Sequence, residues 1–256
     1  MSLERTALRL ATVMALTNGM VEPYPTIARD RVFDSRLDPI EGFAEHDLVP
    51  LVLVYTDDTD NEALSQNNGG PPWRTTVNLV IEISVGMGAE SESGLSLDVR
   101  PRTEPEMEAM LDLLEEQIAR TFRQPATAWA SRIYTDHIVR IESWSSSRYV
   151  ERDTNARLAV RQIIAKVMLV QPEEPTDVGV VPPPLGPLLA AIVEAEGPYA
   201  GSAAALLEML ETAGGFAPLD LPALERIRLI EADAGGGNLT GTGPARPDGV
   251  AETYLT

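Results

Sequence analysis

The sequence contains no cysteine. That excludes disulfides, thiolate zinc sites, iron–sulfur clusters and a cysteine nucleophile, and it agrees with a reducing compartment. Histidine is nearly as scarce. His46 and His137 are the only two, and neither sits in an H-E-x-x-H or H-x-E pattern, so each reads as an imidazole at the surface or the core edge, with a metal or general-base role for one of them as the alternative. Aromatic residues make up 5% of the chain, and Trp73, Trp129 and Trp144 are dispersed. This disfavours a stacking platform for carbohydrate or single-stranded nucleic acid. Basic residues number 20 against 39 acidic ones, a net charge of −19. Phosphate is repelled by such a surface, so neither tight nucleic-acid binding nor docking on an anionic membrane is expected. A surface past which DNA slides without sticking is compatible with it. No apolar run approaches the ~20 residues of a membrane span. The opening MSLERTALRLATVMALTNG has its apolar positions at helical spacing and carries Glu4, Arg5 and Arg9, unlike a signal peptide. The expectation is a soluble protein made in the cytoplasm.

Motifs that carry chemistry are also missing. Gly235, Gly236 and Gly237 are not followed by Lys-Ser or Lys-Thr, so there is no P-loop. Gly86-Met87-Gly88 follows a strand pattern but lacks the third glycine of a dinucleotide fingerprint. There is no G-x-S-x-G, and the serines between 143 and 147 have no base indicated nearby. Asn238-Leu239-Thr240 matches a glycosylation acceptor, which has no meaning without a secretory leader. The acidic cluster Asp57, Asp58, Asp60, Glu62 invites a calcium reading. An EF-hand counted from Asp57 would need Gly and Glu where Glu62 and Asn68 stand. No catalytic, cofactor or metal site is therefore assigned and the chain is not read as an enzyme. A scattered carboxylate site is the remaining enzymatic alternative.

What is present is a clear α+β pattern. Leu3, Ala7, Leu10 and Met14 recur at steps of three and four, which predicts an amphipathic helix over 3–17, with Ser2 as its N-cap and Asn18-Gly19 as its stop. A short extended piece is expected at 31–35. Residues 51–55 are continuous and β-prone, a buried strand, and 57–72 are expected to form a loop ending in Gly69-Gly70-Pro71-Pro72. Val77, Leu79, Ile81, Ile83 and Val85 alternate with Asn78, Val80, Glu82 and Ser84, which predicts a strand over 75–85 with one apolar face. Met107, Met110, Leu111, Leu114, Ile118 and Phe122 place a helix over 104–122. A shorter helix over 127–134 and a strand over 137–144 follow; 157–170 fits either a strand or a helix, and its β-branched content and length favour a strand.

Six prolines in QPEEPTDVGVVPPPLGP suggest a linker over 171–185. It separates a domain over 1–170 from a C-terminal extension over 186–256. That extension reads as short helices over 186–196 and 201–213, a third element over 222–233, then a Gly/Thr/Pro tail. The predicted fold class is α+β, a mixed or antiparallel sheet flanked by helices.

The order of these elements, with some local phrases, resembles the lambda-type tail terminator proteins of long-tailed phages. The leading helix LERTALRLATVMAL is followed by coil and by RVFDSRLDPI, similar to the family's short strand. LVPLVLVY, residues 48–55, is similar to its Pro-containing strand, and a polar loop leads to the long alternating strand from Thr75. The helix over 104–122 and the DTNARL phrase entering the last strand fit the same layout. The resemblance covers residues 1–170. It implies a structural subunit of a hexameric ring that caps the tail tube, stops its polymerisation and faces the head-side connector or stopper protein. It also implies a location in the tail or neck of a virion or a gene-transfer-agent-like particle, assembled in host cytoplasm, with DNA passing through the lumen. Under this reading the loop over 56–72, with Asp57, Asp58, Asp60, Glu62, Asn67 and Trp73, becomes a candidate assembly contact. Another head–tail connector or a minor tail protein is the alternative.

Overall fold

The computed structural model describes residues 2–35, 48–64, 73–91, 94–98, 104–149, 160–171 and 180–212. All lie in one compact unit spanning Met1–Pro218. Residues 222–233 and the Gly-rich tail are outside the described residues.

Helix α1 (Ser2–Thr17) is at the centre. Ser2, expected as its cap, is its first residue. Of the predicted stripe, Ala7 and Met14 are buried, Leu10 is half-buried and Leu3 at the first turn is exposed, whereas Val13, Ala15 and Leu16 away from it are fully buried. A helix buried on most sides needs its polar groups satisfied internally. Thr12 and Thr17, both fully buried, donate to the carbonyls of Leu8 and Val13 at 2.8 Å.

Six strands form a mixed sheet. They are β1 (Val32–Asp34), β2 (Leu48–Ala63), β3 (Trp73–Ser91), β4 (Gly94–Asp98), β5 (Ile138–Tyr149) and β6 (Val160–Leu169). The order is β1-β2-β3-β6-β5, with β4 also paired to β3. Only β1–β2 is parallel. Met87 of β3 pairs with Leu48 of β2 and with Asp98 of β4. Strand β4 must therefore lie on the β6 side of β3. At ~3.3 Å per residue, the 19 residues of β3 run about 60 Å and form the spine of the sheet.

The alternation foreseen over 75–85 is the core face. Val77, Leu79, Ile81, Ile83 and Val85 are fully buried, beside Val52 and Val54 of β2 and Ile163, Ala165 and Val167 of β6. Against this face lie α1 and α2 (Glu104–Arg123), with Met107, Leu111, Leu114, Ile118 and Phe122 inward. Helix α3 (Ala128–Arg132), capped by Thr127 at the amide of Ala130, runs into a single π turn, Ile133–His137, which delivers the chain into β5.

Helices α4 (Leu185–Glu194) and α5 (Ala200–Thr212) follow. Leu185, Leu188, Leu189 and Ile192 belong to the same core cluster as α1 and the sheet. The Tyr199 hydroxyl accepts from the Asp34 amide at 3.3 Å. The end of the proline-rich stretch therefore leads into helices that complete the core.

One expectation is corrected. Residues 57–63, read as loop, continue β2. They pair with the first residues of β3, from Asp57 opposite Asn78 to Ala63 opposite Trp73, with a bulge between Asp57 and Thr59. The run DDTDNEA has poor strand propensity because Asp and Asn favour turns. The β3 backbone, rich in Thr and Val here, supplies the ladder that propensity could not predict.

Candidate assembly surface

Thr56 is where the core ends. It is buried, whereas Asp57 and Asp58 are exposed. Two arginines of α1 hold this point. Arg5 donates to the Thr56 carbonyl at 2.5 Å and to its hydroxyl at 3.1 Å. Arg9 reaches the same hydroxyl at 3.4 Å and pairs with Asp34 of β1 at 2.6 Å, with both side chains largely shielded. These bonds fix the level at which β2 leaves the core as an acidic strand.

Beyond it, Asp57, Asp60 and Glu62 pair opposite Asn78, Thr76 and Arg74, residues of the face turned away from the core. Asp58 occupies the bulge and accepts from Asn78 at 3.4 Å. Asp60 lies 3.8 Å from Lys166, and Glu62 lies 3.7 Å from Arg74. Both contacts are exposed and long, so they hold little energy. Trp73 is half-buried at the start of β3. Asn67 lies outside the described residues. Four of the six residues assigned to a contact loop thus stand on a strand, and Trp73 begins its partner.

The same face carries a polar set further along. Tyr55 donates to Glu82 at 3.4 Å and accepts from Gln162 at 2.8 Å. Burial pushes the Tyr55 phenol above its ordinary pKa, against the opposing hydrogen bond from Gln162.

A second cluster was not foreseen. On the core face, Arg161 of β6 pairs opposite Ile83 and points at α2. Its guanidinium reaches Asp112 at 2.7 Å, Glu115 at 2.8 Å and Glu108 at 3.1 Å. Arg148 of β5 stands 2.9 Å from Glu108 as an ion pair, without the geometry of a hydrogen bond, and Ser146 donates to Glu115 at 3.1 Å. Burial alone would lower the Arg161 pKa, but the hydrogen bonds and charges of Glu115 and Asp112 outweigh it and raise it, so the cation is permanent. Glu108, Asp112 and Glu115 recur at steps of four and three, one face of α2. That spacing was the available signal. Beside this network an open cleft of about 500 Å³ has an apolar floor of Phe122, Ile141 and Trp144. The Phe122 and Trp144 rings meet edge to face at 5.6 Å.

His137 is buried at the π turn and its Nε2 has no hydrogen-bond partner. Desolvation lowers its pKa to about 4, so it is neutral at pH 7. His46 lies outside the described residues. Among the described residues, no group of three or more His, Asp or Glu could hold a metal ion, and no helix is long and apolar enough to cross a membrane. No protein-family model matches this sequence, and no curated protein matches it.

Proposed function

We propose that this chain is a structural subunit that caps a phage-type tail tube, forming a ring that ends tube growth and offers its other side to the head connector. The observation that carries the reading is the order of elements. A leading helix, a short strand, a Pro50-containing strand, a long alternating strand, the α2 helix and two closing antiparallel strands follow one another. This is the order that the resemblance to tail terminators implies. Two further features support it. The net charge of −19 suits a passage in which DNA must not adhere. The acidic stretch of β2 presents carboxylates on a paired strand, a defined surface for a protein partner. Recognition, not bond chemistry, is the mechanism: tube protein docks, and the cap exposes no further tube-like face.

The test is gold-antibody labelling of purified particles, viewed by electron microscopy. Label at the head–tail joint is expected. Label along the tail would replace this reading with a minor tail protein, and its absence from particles with accessible epitopes would remove the virion role.

A further inference from the structure

Among the described residues, both ends of the sheet lack a partner strand for part of their length. On the outer side of β2, strand β1 pairs only with residues 52–54. The Arg5 side chain takes the Thr56 carbonyl. Among the described residues, no strand pairs the outer side of residues 57–63. At the other end β5 pairs with β6 on one side, and among the described residues no strand pairs its other side. An open edge is a template for another strand.

The two edges are complementary. Residues 57–63 carry four carboxylates and no base. Strand β5 carries Arg140 and Arg148 against Glu142, a net charge of +1 in a chain of net charge −19. They are also level. Asp60 pairs with Thr76, Thr76 with Met168, and Met168 with Arg140. Asp60 and Arg140 thus stand on one row across the sheet. Asp57 and Ser143 share another row, through Asn78 and Lys166. The three antiparallel steps between them make β2 and β5 run in opposite directions.

We propose that copies of this chain join head to tail through these edges, with β5 of one copy adding to residues 57–63 of the next and Arg140 facing Asp60. Rotation about an axis along the strands preserves strand direction, so β5 meets its neighbour's β2 antiparallel, as every step from β2 to β5 already does. The contact is heterologous and closes only as a ring. Closure rests on the ring reading above, whereas the edge pairing does not. Bulges at Val139 and Glu142 bend this part of β5, as bulges do at the rims of closed sheets. Val139, 58% exposed, gives the stretch an apolar contact. Arg140 and Asp60 are themselves solvent-exposed, so their existing pairings, with the partly shielded Glu142 at 2.9 Å and with Lys166 at 3.8 Å, are weakly held and exchangeable.

The experiment uses the full chain, which has no native thiol. Sedimentation equilibrium over rising protein concentration measures self-association. Arg140→Glu is expected to weaken it at least ~10-fold, and Asp60→Arg added to that variant to restore it to within ~3-fold. In parallel, a variant carrying both Asp57→Cys and Ser143→Cys is oxidised. A ladder of covalent multimers is expected, with neither single variant exceeding a dimer. A wild-type chain that stays monomeric throughout overturns the proposal, as does association indifferent to both charge reversals or a double-cysteine variant that forms no ladder. Gold label at the joint with any of these failures would leave the capping role standing and remove this contact. Edge association without such label would do the reverse.

Discussion

His137 and Gly19 show how single residues set conditions on the whole fold. The imidazole of His137 is neutral in the native state, with a folded pKa of about 4 against an ordinary 6.5. The sign follows: the unfolded chain takes up the proton first, so stability is full above pH 6.5 and is lost as pH falls towards 4. Between pH 7.5 and 5 the loss is about 2 kcal/mol, at 1.36 kcal/mol per pKa unit. Urea unfolding at the two pH values should show it, and His137→Gln should flatten the slope whatever it does to the absolute stability. An unchanged slope in that variant would assign the pH dependence elsewhere. Gly19 ends α1 with φ of +71°, and its amide donates to the Met14 carbonyl at 2.8 Å. A Cβ there would stand 2.2 Å from the Trp129 indole nitrogen. Gly19→Ala is therefore expected to cost about 2–4 kcal/mol, from left-handed strain and overpacking together. Gly201, in α5, has nothing within 4 Å of such an atom. Gly201→Ala should instead stabilise by about 0.5–1 kcal/mol. Equal effects at the two sites, by chemical denaturation, would contradict the packing seen around Trp129.

Among the elements, the acidic end of β2 and the charged face of α2 look alike in composition but differ in role. The carboxylates of residues 57–62 are exposed and only loosely paired. Changing Asp57, Asp58 and Asp60 to Asn and Glu62 to Gln should shift stability by less than about 1 kcal/mol. Under the capping reading, the same variant should stop tube growth at least ~10-fold less effectively in a polymerisation assay with purified tube protein. Full capping by this variant would remove the acidic strand from the contact. The α2 carboxylates instead converge on Arg161, whose side chain is 17% exposed. Arg161→Met leaves Glu108 and Glu115 half-shielded without their main partner, at a cost of about 1–3 kcal/mol. Arg161→Lys should recover only part, because one ammonium cannot reach three carboxylates as a planar fork does. Full recovery by Lys would mean that charge, not geometry, holds the network.

At the scale of the whole molecule, the helices after the proline-rich stretch belong to the core. Leu185, Leu188, Leu189 and Ile192 are buried in the cluster that contains α1. Four such side chains contribute on the order of 6–10 kcal/mol, comparable to the entire stability of a domain. A chain ending at Gln171 is expected to lose cooperative unfolding. One ending at Pro218, the limit of the compact unit, should unfold like the full chain. Circular dichroism melts of the two truncations decide this, and a cooperative 1–171 fragment would mean that α4 only decorates the fold.

The sequence by itself determined the α+β class, the helices over 3–17 and 104–122, each within a residue of its observed ends, and the inner face of β3, since each rests on a local period of apolar residues. It also placed β1 and the closing strands within a few residues. It did not reveal that β2 continues through four acids, because that stretch is a strand only by virtue of its partner's backbone. Strand β4, a five-residue piece in a polar region, was hidden for the same reason. The convergence of Glu108, Asp112 and Glu115 on Arg161 joins residues about 50 positions apart. The level match of Asp60 with Arg140 spans four strands. Local periodicity specifies which way a side chain faces, whereas what it meets there is set by strand register and helix packing, and only the tertiary structure decides those.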